Sequence, residues 1–150
     1  MEIAAKIITI LERCKKEIQA AMAAGGVNAS GRTSASLKVE PYAGGVRLVS
    51  GGEKIAPFET LETGRKAGKV PFGFTAILVQ WSRDKGIGFS TESKRRSFAY
   101  LLGRKIAREG TERHRQPRND IYTPAVTEAV KEIRATIGAN VVQIIKGGEK

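Results

Sequence analysis

The sequence predicts an α+β fold in a single domain, residues 1–150, with an N-terminal helix, a small antiparallel sheet and C-terminal helices packed on it. Three observations lead to this prediction. Apolar residues recur every three or four positions near both ends of the chain, and short alternating runs flank a glycine-containing turn between them. A hydrophobic content of 41% and a charged content of 27% are typical of a globular protein, which at this length buries a core without disulfides.

The first helix is predicted to begin near Ile3 and to end at Gly25–Gly26. Its apolar residues are spaced three or four positions apart, which places them on one helix face. They are Ile3, Ile7, Leu11, Cys14, Ile18 and Met22. Such a stripe fits either the core of the domain or a seam between subunits. Cys14 is the only cysteine, and we interpret it as a small buried hydrophobe.

A polar linker, residues 28–34, is predicted to lead into an antiparallel hairpin. Residues 36–40 and 46–50 alternate between apolar and polar side chains, and the turn at 41–45 contains glycine. Because an isolated hairpin is marginally stable in water, the sheet has room for further strands from elsewhere in the chain.

The segment from Ile55 to Pro71 is predicted to hold a short helical turn followed by a basic loop. Ile55, Phe58 and Leu61 are three positions apart and share one side of the turn, which Gly64 ends. The loop lacks the Gly-Lys-Ser/Thr ending of a phosphate-binding P-loop. We therefore expect it to be solvated, to contact a neighbouring subunit or to meet a polyanion. Its cations are Arg65, Lys66 and Lys69.

Two helices are predicted next, from Phe74 to Arg83 and from a Thr91 cap to Glu109, and Gly110 ends the second. The first is expected to bury Phe74, Ile77, Leu78 and Trp81, with the tryptophan as a core anchor. The second is expected to bury Phe98, Leu101, Leu102 and Ile106. Residues 111–119 are polar and basic and are predicted to form an exposed loop.

The last helix is predicted to begin at Thr123, with Pro124 in its first position. Beyond Gly138, helical periodicity and strand alternation fit the apolar residues about equally, and we favour a helix. The predicted buried face consists of Ala125, Val126, Ala129, Val130, Ile133 and Ile137.

The formal net charge of +11 concerns the partners of the chain rather than its fold. The surplus of positive charge is concentrated between Arg83 and Arg118, a segment that contains eleven Lys and Arg residues and four acidic residues. The Lys94-Arg95-Arg96 cluster and a pI of about 10.1 make a nucleic-acid-binding module one hypothesis. Aromatic residues make up only 6% and no recognition-helix, RNP, KH or zinc motif is present, so such binding would be non-specific.

Glu59 and Glu62 are the strongest candidates for an enzymatic site, since carboxylates on one helix face raise each other's pKa. Asp120 and Tyr122 are candidates to join them. No nucleophile–base–orienter set is recognisable, so capping or salt-bridging roles are favoured and no catalytic residues are predicted. A single cysteine and a single histidine leave no ordinary zinc site, and neither a metal nor a cofactor is predicted.

Neither a membrane span nor a signal peptide is predicted. No apolar run approaches the roughly 20 residues that cross a bilayer, and charged helix follows the first apolar segment without a cleavage-type site. We therefore expect the protein to be made and used in the cytosol.

Five short segments follow one another in a recognisable order within residues 1–142. Gly31 to Lys38 varies the pattern Arg-Thr-Gly-x-Leu-x-x-Ser, and Leu61 to Pro71 is similar to a Glu-x-Gly element with a basic Gly/Pro loop. The helix with Trp81 continues as Trp-x-x-x-Lys-Gly. The segment from Gly103 to Thr111 is similar to the pattern Ile-Ala-x-x-Ile-x-x-x-Gly-Thr. The segment from Ile121 to Ala125 is similar to the pattern Phe-Leu-x-Pro-Ala. Together they resemble the minor tail, or tail-completion, proteins of tailed bacteriophages, which act near the head–tail junction.

This resemblance implies an α+β fold and a structural, non-enzymatic role in the virion, after assembly in the host cytoplasm. It also implies a homo-oligomeric ring through which DNA passes, next to other phage neck or tail proteins. Heterologous contacts generate such a ring when their rotation closes. The candidate contact elements are the first helix, the loop at 64–70 and the loop at 112–120, and simple solvation is an equal alternative for the two loops.

The basic side chains of these segments are the candidate site residues. Candidate subunit-contact residues are Arg65, Lys66, Lys69, Arg113, Arg115 and Arg118. Candidate DNA-facing residues are Lys94, Arg95, Arg96, Arg104 and Arg108. Only a non-specific DNA contact is expected, and no membrane contact.

Overall fold

A computed structural model describes residues 2–51 and 58–147, with side chains as far as residue 143. The fold is α+β, as the sequence predicts, and combines helices with a two-stranded antiparallel sheet. In chain order the elements are α1 (Glu2–Ala24), α2 (Arg32–Ala35), β1 (Lys38–Tyr42), β2 (Gly45–Val49), α3 (Thr60–Thr63), α4 (Phe74–Asp84), α5 (Glu92–Glu109), α6 (Glu112–Arg115) and α7 (Thr123–Gly147).

The larger core lies between α1 and α7. These helices run antiparallel, because Arg13 pairs with Glu132 while Gly25 lies against Ile121. The predicted stripe of α1 is buried over its C-terminal part, and Cys14 is a buried small side chain, as predicted. The buried side chains of this core are Ile10, Cys14, Ile18, Met22, Leu37, Ile121, Ala125 and Ala129.

The predicted hairpin is confirmed and packs on α1. Its register runs from Lys38 opposite Val49 to Tyr42 opposite Gly45. The described residues add no third strand to the sheet. The preceding linker differs from its prediction, because residues 32–35 at its end form the single turn α2.

A second, smaller core joins α4 to α5, and its composition corrects two expectations. Ile77 of α4 is 52% exposed and Leu101 of α5 is 65% exposed, although both were expected in the core. The helices instead meet at small residues, because a Cβ atom added at Gly103 would lie 3.4 Å from Leu78 Cδ1. Close approach at Ala99 and Gly103 turns the flanking large side chains outward. The buried residues of this core are Leu78, Val79 and Ala99.

The remaining boundaries follow local signals. Thr91 caps α5 by accepting the backbone N–H of Lys94, and Gly110 ends that helix, as predicted. The loop expected at 111–119 contains the single turn α6. α7 continues through Gly138, so the segment beyond that glycine is helical. Ile55, which was expected on the apolar side of the short helical turn, lies outside the residues that the structure describes.

The last helix buries less of its predicted face than expected. Ala125 and Ala129 are buried and Ile133 packs against the larger core. Val126, Val130 and Ile137, expected to be buried, are 39%, 41% and 44% exposed. Val126 and Val130 each follow a buried alanine, Ala125 and Ala129, and therefore lie about 100° around the helix from the buried side.

Candidate functional site

The two basic loops predicted as contact elements lie against each other. Thr111 N–H donates to Arg65 O at 2.8 Å, and Arg65 N–H donates to Thr111 Oγ1 at 2.9 Å. Gly68 N–H donates to the carbonyl oxygen of Ala107 at 2.8 Å. Residues 64–70 and 110–115, here called the clamped loops, therefore form one rigid surface beside the C-terminal end of α5.

Glycine permits this approach at two positions. Gly64 has a φ of 65°, and a Cβ atom there would lie 2.4 Å from the backbone nitrogen of His114. Gly110 has a φ of 75°, and its Cβ would lie 2.7 Å from Arg65 O. A side chain at either position would both strain the backbone and separate the loops.

The candidate subunit-contact residues divide into two groups. Three are engaged within the chain: Arg113 pairs with Asp120 at 2.7 Å, Arg115 with Glu109 at 3.3 Å, and Arg65 donates to Lys69 O at 3.0 Å. The guanidinium of Arg65 also lies 5.6 Å from the centre of the Phe74 ring. The others are exposed and form no ion pair within the described ranges, namely Lys66, Lys69 and Arg118, although the charge of Arg118 contributes to the lowered pKa of Asp120.

The candidate DNA-facing residues do not form one surface. Arg95 is only 14% exposed, donates to Ser82 Oγ at 2.8 Å and lies 4.9 Å from the centre of the Phe89 ring. Its charge therefore links α4 to α5 rather than facing solvent. Lys94 and Arg96 beside it are exposed.

Arg104 and Arg108 lie in the last turns of α5, beside the clamped loops. Arg104 donates to Tyr100 Oη at 3.1 Å, and Arg108 pairs with Glu109 at 2.7 Å. Arg96 is twelve residues before Arg108, or about 18 Å along the helix axis. The basic residues thus form a group at each end of α5, and the group at its C-terminal end adjoins Lys66 and Lys69.

Glu62 has a capping role, which is one of the two roles that the sequence analysis favoured, but it is buried and caps a helix that is distant in the sequence. Its side chain is 2% exposed and reaches the first turn of α7. Glu62 Oε1 accepts the backbone N–H groups of Ile121 at 2.9 Å, Tyr122 at 2.7 Å and Thr123 at 2.8 Å. Glu62 Oε2 accepts the Thr123 hydroxyl at 2.5 Å. One carboxylate therefore caps a helix that begins about sixty positions later in the chain.

This arrangement contradicts the less favoured alternative for Glu62, a catalytic carboxyl with a raised pKa. Burial alone would raise the pKa of Glu62, but its hydrogen bonds to Thr123, Tyr122 and Ile121 hold it below the usual value. Glu59 is exposed. The carboxyl of Asp120 also has a lowered pKa, because Arg113 donates a hydrogen bond to it. The buried carboxylate is thus an ionised structural cap.

An apolar groove lies between β2, α1 and α7 and encloses about 290 Å³. Leu11 and Ile18 of α1 lie at its base, Leu48 of the hairpin forms one side, and Val130 and Ile133 of α7 form the other. The groove has only one polar side chain among its described lining residues, which is Ser50.

A row of apolar side chains continues along α7 from this groove. Four of them are between 39% and 48% exposed. Spacings of four and seven place them on one helix face. We call them the α7 stripe, which consists of Val126, Val130, Ile137 and Val141.

No helix within residues 2–51 and 58–147 is both long and apolar enough to span a bilayer. The same residues bring together no group of three or more His, Cys, Asp or Glu side chains that could hold a metal ion. Comparisons of the chain with protein-family models, with curated proteins and with solved structures find no match.

Proposed function

We propose that this chain is a structural virion protein of a phage neck or tail end, in which identical copies form a ring that joins or terminates the tail tube. The observation that carries the proposal is the α7 stripe beside the apolar groove. Covering apolar surface releases about 25 cal/mol per Å². A contiguous exposed row on one helix is therefore typical of a surface that a partner covers.

We propose a ring because one surface of a copy can bind a different surface of the next copy. Ile137 and Val141, in the part of the α7 stripe that does not line the groove, and the groove beside Leu48 are two such surfaces of one chain. A contact between the first on one copy and the second on the next copy is heterologous, and repeated heterologous contacts close into a ring when their rotation permits.

The charge of the chain is compatible with this role. A surplus of +11 disfavours close packing of like surfaces but suits a position beside DNA or beside acidic faces of neighbouring proteins. We propose that Lys66, Lys69, Arg104 and Arg108 face such partners at the clamped loops. The order of the segments that resemble tail-completion proteins supports a place in the virion, after assembly in the host cytoplasm.

Light scattering coupled to size-exclusion chromatography, followed by electron microscopy with and without tail tubes, tests the proposal. The wild-type chain should form annular particles, whereas Ile137→Lys should yield smaller species. Leu101→Lys is the matched control, since Leu101 is exposed on α5, outside the α7 stripe. A wild-type chain that stays monomeric at all concentrations and never enters virions would overturn the proposal.

A second candidate function is non-specific nucleic-acid binding, which the exposed lysines of the clamped loops favour. Each phosphate contact contributes about −0.9 to the slope of log K against log salt. The double variant Lys66→Gln/Lys69→Gln should therefore lose up to about two such contacts, measured by fluorescence anisotropy with duplex DNA. Lys16→Gln/Lys38→Gln is the control with the same net charge, because both of its sites are exposed elsewhere. Equal slopes for the two double variants would reject a DNA contact at the loops.

A further inference from the structure

Phe72 is the most exposed large apolar side chain in the described part of the chain. It lies in the turn between the clamped loops and α4, where Phe74 N–H donates to Pro71 O at 3.2 Å. Pro71 restricts one side of the turn and Gly73, with a φ of 72°, completes the other. This turn therefore places the Phe72 ring in solvent, away from both hydrophobic cores.

The same chain carries an open cleft of about 740 Å³ between residues 27–33 and α4. Leu61, Ile77 and Trp81 supply its apolar surface, while Gln80 and Asp84 lie at the α4 side. Its volume is in the range of about 300–1,000 Å³ that is typical of ligand pockets. Ile77 and Trp81 were expected in the core, but they line this cleft instead.

We infer that Phe72 of one copy inserts into this cleft of a second copy and packs against Ile77 and Trp81. The inference rests on the self-association in the proposed function and names the residues that make one of its contacts. Phe72 is fully exposed in its own chain, so it leaves the cleft of that chain unfilled. Insertion would bury about 150–250 Å² of its ring, and offset or edge-to-face aromatic pairs add to that gain.

The Phe72 loop carries two exposed lysines, and the cleft carries one carboxylate and one guanidinium. Lys66 and Lys69 precede Phe72 in the same loop and are exposed, without an acidic partner among the described residues. Asp84 at the cleft accepts a hydrogen bond from Gln80 at 2.9 Å and has no ion pair within the described ranges. On the opposite wall, Arg32 Nε–H donates a hydrogen bond to Ser30 Oγ at 3.1 Å. Insertion would bring the unpaired lysines towards the unpaired carboxylate.

The phenyl ring of Phe72 is too small to form a whole interface and acts as an anchor within one. Stable interfaces bury about 1,200–2,000 Å² in total, so the surface around Phe72 must contribute as well. Aromatic anchors that fill a pocket at the centre of an interface dominate its affinity. We therefore expect the removal of this one side chain to weaken self-association at least about tenfold.

Sedimentation velocity of the full chain tests the inference with one variant on each side of the contact. Phe72→Ala removes the ring, and Ile77→Arg fills the cleft and repels Lys66 and Lys69. Both residues are exposed, so circular dichroism should report unchanged helix content. Each variant alone should associate at least about tenfold more weakly than wild type. An equimolar mixture should form heterodimers but no larger particles, because the intact phenyl ring of Ile77→Arg fits the intact cleft of Phe72→Ala, whereas the next contact would pair the missing phenyl ring with the blocked cleft.

Leu101→Ala is the matched control and should associate like wild type. If Phe72→Ala also associates like wild type, the contact does not exist, and a loss confined to Ile77→Arg would show that a different surface of the second copy occupies the cleft. Failure of the mixture to form heterodimers would also overturn the inference. If Ile137→Lys disrupts the particles while Phe72→Ala leaves them intact, the inference fails and the proposed function stands.

Discussion

Glu62 and Thr123 make two hydrogen bonds to each other, one from the backbone N–H at 2.8 Å and one from the hydroxyl at 2.5 Å. The pair joins the single turn α3 to the start of α7, and the Phe58 and Tyr122 rings pack 5.1 Å apart beside it. One buried carboxylate thus fixes the start of α7, the longest helix among the described residues.

Glu62→Gln should lower the free energy of unfolding by about 1–2 kcal/mol. The amide oxygen still accepts backbone N–H groups, but the NH₂ group cannot accept the Thr123 hydroxyl, and the negative charge at the helix N-terminus is lost. Urea denaturation measures the change. Glu59→Gln is the control, because Glu59 is exposed and should change stability by less than about 0.5 kcal/mol. Equal effects of the two substitutions would contradict the capping role.

The contribution of Glu62 should depend on pH in the acid range. Its pKa in the folded chain lies below the reference value of 4.5, so ionised Glu62 stabilises the fold above the unfolded pKa. This stabilisation is lost as the pH falls through the folded pKa. The difference in unfolding free energy between wild type and Glu62→Gln should therefore be constant near pH 6–7 and shrink below about pH 4.5. A difference that stays constant down to pH 3 would reject this assignment.

Gly64→Ala should destabilise the chain by about 2–4 kcal/mol, because it combines a positive φ with a close approach to His114 and Thr111. Gly138→Ala is the opposite case. Gly138 lies inside α7 with nothing within 4 Å of an added Cβ, so alanine should stabilise by about 0.5–1 kcal/mol. Thermal unfolding followed by circular dichroism compares them, and a stabilised Gly64→Ala would show that the clamped loops do not require this backbone shape.

Arg95→Gln should lower stability by about 1–2 kcal/mol, since it leaves Ser82 Oγ, which is buried between α4 and α5, without its donor. Arg96→Gln removes the same charge at the next, exposed position and should change stability by less than about 0.5 kcal/mol. Chemical denaturation distinguishes them. If Arg96→Gln had the larger effect, the internal placement of Arg95 would be wrong.

The helix boundaries were predictable because they depend on local chemistry. The Thr91 cap, Pro124 in the first turn of α7 and Gly110 after α5 act within a few residues of themselves. The hairpin followed from the alternation of its strands. The buried faces of α4 and α5 were predicted less well, because periodicity favours large apolar residues, whereas this contact is made at Ala99 and Gly103.

The clamped loops and the Glu62 cap could not be predicted in the same way. A glutamate in a short turn carries no local signal of a partner sixty positions away, so a capping role was favoured for Glu62 but neither its burial nor its partner could be predicted. Likewise, Arg95 and Arg96 are indistinguishable by composition. Their opposite placement depends on which side of α5 meets Ser82, and that is decided by packing.

The division of the apolar interior into two clusters has a consequence for how the chain opens. α4 and α5 make most of their contacts with each other, and the side chain of Lys85 bonds to Gly26 O as one of their few links to the α1 region. Such units exchange their amide hydrogens through separate openings. Deuterium uptake should therefore resolve two protection classes, with the slower one in the middle of α1 and the facing turns of α7.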